Sequence, residues 1–225
     1  MTTADTAGIR AVLFDMDGTL ADTFPVIIDA WNATTDKAIG RTYTPEEVIA
    51  LFGTPEHDML EKALAGLEPE RIAQSIETFH RFYEELHGEI QPFPGVDDLL
   101  NELHSRGVRM GIVTGKGKRT CALTIRAFGW TDYFGSVITG DDVTLQKPHP
   151  ESPLKAAGEL GIESAECAFA GDNPLDIQAG KAAGMVSIAA AWHPVYEQAL
   201  RDAQPDFLAE TPADILNLPG LPVIR

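Results

Sequence analysis

The segment Ile9–Asp15, IRAVLFD, is the strongest constraint on the fold. Its apolar residues run consecutively instead of alternating, so as a strand it is covered on both faces. That is the situation of a central strand in a parallel sheet with helices above and below. A parallel neighbour needs a crossover connection, and from Gln91 onward the chain supplies a series of them. Helical stretches (VDDLLNELHSRG, KRTCALTIRAFG, ESPLKAAGELG, PLDIQAGKAAG) alternate with short apolar strands (VRMGIVT, SVITG, ECAFAGD, MVSIAAA), and a last helix and the strand PDFLAE close the series. Such alternation predicts an α/β fold whose parallel strands are joined by right-handed crossovers.

From about Phe24 to His87 the patterns are helical and no strand is evident. ERIAQSIETFHRFYEELH is the clearest, with Ile72, Ile76, Phe79, Tyr83 and Leu86 at helical spacing. PEEVIALF and PEHDMLEKALAGL read as shorter helices, each opening with Pro in its first turn. QPFPGV, Gln91–Val96, is a turn-rich boundary. The expected organisation is a Rossmann-like parallel-sheet core built from residues 1–21 and 92–225, with residues 22–91 inserted as an α-helical cap. The insertion starts just past the carboxyl end of the first strand. It is therefore expected over the edge where open α/β sheets bind ligands.

The chain has 225 residues and a formal net charge of −17. That length allows a substantial core. The charge repels nucleic acid and anionic membrane surfaces, so neither is an expected partner, and a phosphate ligand needs cations placed locally. No apolar run approaches membrane-spanning length. The polar start MTTADTAG lacks the pattern of a secretory signal. Cys121 and Cys167 are far apart and in no metal-like spacing, which reads as two buried apolar thiols in a reducing cytoplasm.

Polar residues gather where the predicted strands stop. The first ends in Asp15-Met16-Asp17 followed by Gly18-Thr19, the second in Thr114-Gly115-Lys116, and the fourth in Gly171-Asp172 with Asp176 just beyond. Past the third, a loop carries Lys147-Pro148. Singly, each has an ordinary explanation as a helix cap, a turn residue or solvated surface. Together they share one edge of one predicted sheet. Asp15, Asp17 and Asp172 would repel one another without a cation. An oxygen-only set suits magnesium, which also shares phosphate oxygens, and no His–Cys cluster favours zinc. Lys147 adds a point charge suited to phosphate, Thr114 adds a hydroxyl, and the amides running into Gly18-Thr19 can face an anion.

The ordered segments DMDGTL, VTGK, KPHP and GDNPLD resemble the four motifs of the haloacid dehalogenase superfamily in its phosphatase branch. FPGV, KPHPESPLKAAGELGI and GDNPLDIQAGKAAGM are similar to phosphoglycolate-phosphatase-like members, and the helical insertion to that family's small cap. The resemblance implies that Asp15 is the nucleophile and becomes an aspartyl-phosphate, and that Asp17 is the general acid and then the base. It implies magnesium held by Asp15, Asp172 and the backbone carbonyl of Asp17, with Asp176 orienting metal-bound water or Lys147. Thr114 and Lys147 would hold the phosphoryl oxygens. Relatives that cleave carbon–halogen or carbon–phosphorus bonds lack an aspartate at the position of Asp17, so its presence favours phosphoester or phosphoanhydride chemistry. Gly115 stands where many relatives carry Asn or Ser.

The expected activity is thus magnesium-dependent hydrolysis of a small phosphorylated metabolite. The alternatives are a phosphomutase similar to β-phosphoglucomutase, or a pyrophosphatase or nucleotidase of the same superfamily. In this family the cap loop facing the site helps choose the substrate. Here that loop is LFGTPEHDM, Leu51–Met59, with Thr54 and His57 as candidate contacts, and it contains Glu56 but no lysine or arginine. A mutase has to hold a distal phosphate, which Glu56 would repel. Lys116 is the best second cation near the mouth, either receiving a substrate carboxylate or lying in solvent. His57 is equally readable as a surface helix histidine. Trp192 and His193, after the fifth core strand, are candidates for the rim, and the protein is expected as a monomer or homodimer.

Overall fold

The structure is a computed structural model that describes residues 8–223. Most of the polar start and the last two residues, both counted in the expected core, lie outside the described residues. The IRAVLFD run forms β1 (Ala11–Phe14), with every residue buried. After the helical insertion follow β2 (Arg109–Val113), β3 (Phe134–Ile138), β4 (Cys167–Gly171), β5 (Val186–Ala190) and β6 (Phe207–Ala209). All pairings are parallel, in the order β3-β2-β1-β4-β5-β6. Leu13 pairs with Gly111 on one side and Phe169 on the other. β1 is therefore central, as a strand without alternation requires. Ala11 and Leu13 join one apolar cluster with Phe169 and Leu160. Val12 and Phe14 join a second with Met110, Ile112 and Leu103 on the opposite face. The two-residue period of the strand sorts them.

Helices α1 (Phe24–Ile39), α2 (Pro45–Ile49), α3 (Glu56–Ala63) and α4 (Pro69–Leu86) lie between β1 and β2. α2 opens with a capping box in which Thr44 and Glu47 each accept from the other's backbone amide. Along α4, Phe79 and Tyr83 are fully buried, while Ile72, Ile76 and Leu86 pack at the cluster's margin. Each large buried side chain of this kind contributes about 1.5–3 kcal/mol. The cluster that holds Phe14 and Ile112 also contains Trp31, Phe79 and Tyr83, so the apolar interior is continuous from the sheet into the helical insertion. The chain leaves and re-enters the sheet side by side. The Asp22 amide donates to the Gln91 carbonyl at 3.2 Å, and the Phe93 amide to the Leu20 carbonyl at 3.1 Å.

The remaining helices are α5 (Val96–Ser105), α6 (Lys118–Ala127), α7 (Glu151–Leu160), α8 (Pro174–Ala182) and α9 (Glu197–Asp202). Among the described residues no helix is long and apolar enough to cross a membrane. Both cysteines are buried free thiols, and burial raises both above the usual range. The strand order reverses direction between β1 and β4. Crossovers there leave on opposite faces and open a crevice at the carboxyl ends of these two strands.

Candidate active site

Asp15 follows β1 directly and continues its ladder, donating its amide to the Ala170 carbonyl at 2.9 Å. Asp172 follows β4, the adjacent strand. The third carboxylate comes from α8, whose first turn is written by Asn173-Pro174-Leu175-Asp176. Asn173 accepts from the Leu175 amide, and the Asp176 Oδ2 accepts from the Asn173 amide at 3.0 Å. This capping box leaves Asp176 Oδ1 facing inward. One carboxylate oxygen from each of Asp15, Asp172 and Asp176 lies within 4.8 Å of the other two, and all three residues are buried.

Lys147 reaches the same point from the loop beyond β3. Its Nζ is 3.0 Å from Asp15 Oδ2 and 2.5 Å from Asp176 Oδ1. Burial pushes the Asp15 carboxyl up to about 6; Lys147 opposes that rise, and Asp176 and Asp17 add to it. Burial, then Asp15 and Asp176, hold Asp172 well above the usual carboxylate range, although the Thr19 hydroxyl donates to it at 2.8 Å. Lys147 is raised, because its two carboxylates outweigh its burial. Three buried carboxylates against one ammonium leave excess negative charge. The cluster's donors are all oxygens, so the residues present fit a hard divalent cation such as magnesium.

Gly18 and Thr19 stand behind Asp172 and do not form the cleft wall. Gly18 has φ +81°, and a Cβ there would overlap the Asp172 carboxylate, so only glycine fits. Asp17 turns its carboxylate away from the three-aspartate cluster. It accepts from the Thr23 hydroxyl at 2.7 Å and from Lys116 at 3.0 Å. Thr114 lines the cleft and accepts from the Lys116 amide at 3.2 Å. The cleft encloses about 610 Å³ including the space open to solvent, and Phe24, Ile27, Phe52, Met59 and Leu175 supply apolar parts of its lining.

Several sequence expectations change here. Lys116 neither waits at the mouth nor lies in solvent: its side chain is 0% exposed, between Asp17 and Glu56. Thr54 lines the cleft, but His57 does not. Its ring points to Asp58 and Asp141, at 3.3 and 3.4 Å, because α3 turns that position outward. Trp192 donates its indole N–H to the Thr19 carbonyl, and His193 is wedged against Phe24 and Phe93. Tyr196, from the same loop, is the residue that reaches the cleft. Its signal in the sequence is only its place, past the strand adjacent to β4. Gly115 also gains a reason. A Cβ there would sit 3.2 Å from the Gly53 carbonyl, so its absence lets the Gly53–Pro55 loop close onto the strand end.

The profile described as Haloacid dehalogenase-like hydrolase matches residues 12–190, and the chain belongs to that family. The pyrophosphatase PpaX of Anoxybacillus flavithermus is 36% identical over 214 residues, covering 95% of this chain and 98% of its own. The phosphoglycolate phosphatase of Escherichia coli K12 is 32% identical over 240 aligned residues, covering 95% and 94%. A predicted phosphoglycolate phosphatase from Haemophilus somnus superposes with a TM-score of 0.83 at 23% identity, over 93% of this chain and 97% of that one, a likeness of fold. CbbY from Rhodobacter sphaeroides, crystallised with phosphate, gives 0.79 at 27% identity, over 92% and 96%. The protein is a phosphatase of this family, close to the phosphoglycolate phosphatases and pyrophosphatases.

Proposed function

We propose that the protein is a magnesium-dependent phosphomonoesterase acting on a small phosphorylated metabolite through an aspartyl-phosphate at Asp15. The convergence of Asp15, Asp172, Asp176 and Lys147 at the ends of β1 and β4 carries this reading. Asp15, Asp172 and Asp176 would hold the ion, with the Asp17 backbone carbonyl as the further ligand that the family resemblance implies. When bound, it supplies positive charge against the phosphoryl oxygens and the clustered carboxylates. Lys147 and Thr114 hold the transferred group in line with Asp15. The Asp15 carboxylate forms the new bond to phosphorus, and the bond to the leaving oxygen breaks. Asp17, oriented by Thr23 and Lys116, gives that oxygen a proton. Water then attacks phosphorus, Asp17 takes its proton, and phosphate leaves with Asp15 restored.

In this reading residues 22–91 cap a core of 1–21 and 92–225, opening to admit substrate and closing to exclude water. The two free, buried cysteines support a reducing cytoplasm as the site of action. Hydrolysis of pyrophosphate is the second reading, favoured by the likeness to PpaX. A mutase is disfavoured, because the cap loop offers Glu56 where a distal phosphate would need a cation. The test is a screen of phosphorylated metabolites and pyrophosphate for phosphate release, with magnesium and after chelation. Acid-quenched labelling should trap phosphate on Asp15. Undiminished turnover in chelator, or labelling that survives Asp15→Asn, would overturn the proposal.

A further inference from the structure

The cleft holds a second ammonium besides Lys147, and it is fully engaged. Lys116 Nζ lies 3.0 and 3.3 Å from the two oxygens of Asp17, 3.6 Å from Glu56 Oε1 and 4.5 Å from the centre of the Tyr83 ring. Glu56 arrives from the first turn of α3, across the gap between insertion and sheet. Its Oε2 accepts from the Gly117 amide at 2.8 Å, and its Oε1 from the Thr120 hydroxyl at 2.6 Å. Gly117 is the N-cap of α6 and has no side chain to offer, so Glu56 does for α6 what a residue three positions into a helix does in a capping box. With 4% exposure and these donors around it, Glu56 is fixed in place.

The charge balance decides what the far side of the cleft accepts. Among the described residues lining it, Lys116 and Lys147 are the only lysines or arginines. Lys147 stands between Asp15 and Asp176. Lys116 stands between Asp17 and Glu56; when Asp17 holds its proton as an acid, Lys116 and Glu56 still cancel. Neither state leaves positive charge for a leaving group. The adjoining wall of Phe24, Ile27, Phe52, Met59 and Leu175 is apolar. A carboxylate or second phosphate there would lose water and face Glu56 without compensation.

We infer that the site selects phosphate monoesters of uncharged, partly apolar alcohols, and that Glu56 sets this selectivity by occupying Lys116. The inference rests on the phosphomonoesterase reading and narrows it: phosphoglycolate and pyrophosphate, which carry a second anion beside the transferred group, are poor substrates.

Phosphoglycolate and its uncharged isostere isobutyl phosphate test this with magnesium present. The wild-type kcat/KM for isobutyl phosphate should exceed that for phosphoglycolate by at least about tenfold, a step of the size that pocket chemistry commonly supplies. Glu56→Gln keeps an acceptor for the Gly117 amide and can donate to the Thr120 hydroxyl, but removes the charge that opposes Lys116 when Asp17 holds its proton, and should shrink the ratio by about tenfold. Lys116→Met should move the ratio the other way. Opposite signs in the two variants separate selectivity from general damage. Preference of the wild type for phosphoglycolate or pyrophosphate, an unchanged ratio, or shifts of the same sign would overturn the inference. Calorimetric binding of 3-phosphonopropionate against 3-methylbutylphosphonate gives the same comparison without turnover. If no ester is hydrolysed, the phosphomonoesterase reading fails, and these two affinities still decide the selectivity.

Discussion

Lys147 Nζ lies 3.0 Å from Asp15 Oδ2, an ammonium set against the carboxylate proposed to attack phosphorus. Its second partner, Asp176, is itself locked by the α8 cap. Lys147→Met should lower kcat by about 10²–10³, the usual effect of removing one group that stabilises transition-state charge. It also leaves two carboxylates buried without their cation, which costs about 3–5 kcal/mol of stability. Steady-state kinetics and thermal melts check both, and a variant with wild-type kcat would refute the role.

The metal-free protein should lose stability as pH rises from about 4 to 6. Asp15 moves from 3.8 to about 6 on folding, chiefly by burial, so over that window the unfolded chain sheds a proton that the folded one keeps. The loss levels off about one unit above pH 6 and is of the order of 3 kcal/mol for this group alone, at 1.36 kcal/mol per unit. A divalent ion needs the ionised carboxylates and removes their repulsion. Magnesium should therefore raise the melting temperature more at pH 8 than at pH 5. Equal shifts at both would count against a metal at the three aspartates.

Asp15→Asn and Asp17→Asn should part company on an activated ester. Without Asp15 there is no acceptor for the phosphoryl group, and turnover of every substrate should fall to background. Asp17→Asn should lose most activity on alkyl phosphates, yet still transfer phosphate from an aryl ester whose leaving group needs no proton. Single-turnover release of nitrophenol distinguishes the two variants.

Gly115→Asn should hold the Gly53–Pro55 loop off the strand end, because even a Cβ meets the Gly53 carbonyl at 3.2 Å. We expect kcat/KM to fall by about tenfold or more through a poorly sealed site, with a larger radius of gyration in solution scattering. Unchanged scattering and unchanged kinetics would show that this close approach is dispensable.

Local signals in the sequence anticipated the elements. β1 was legible because Ala11–Phe14 is apolar without a break, and α4 because Phe79 and Tyr83 fall on one helical face. Asp15, Lys147, Asp172 and Asp176 could be nominated because each follows a strand, and parallel strands present their ends along one edge. Lys116 could not be read, since its neighbours Asp17, Glu56 and Tyr83 come from three distant stretches of chain. The outward turn of His57 depends on how α3 settles against α4, and the reach of Tyr196 on a loop without periodicity. Contacts between insertion and sheet are set by packing at long range, and no pattern within a single stretch encodes them.

The paired strands of chain at Leu20–Asp22 and Gln91–Phe93 have a consequence for how such a protein can change over generations. The insertion's two ends are neighbours, tied to each other rather than spread across the sheet. A change of length between them need not move β1 and β4, which present Asp15 and Asp172, provided that the apolar side chains completing the shared interior are kept. On the proposed reading, the chemistry stays with the aspartates at the strand ends while the insertion meets the leaving group, so a change of substrate within the insertion needs no new chemistry.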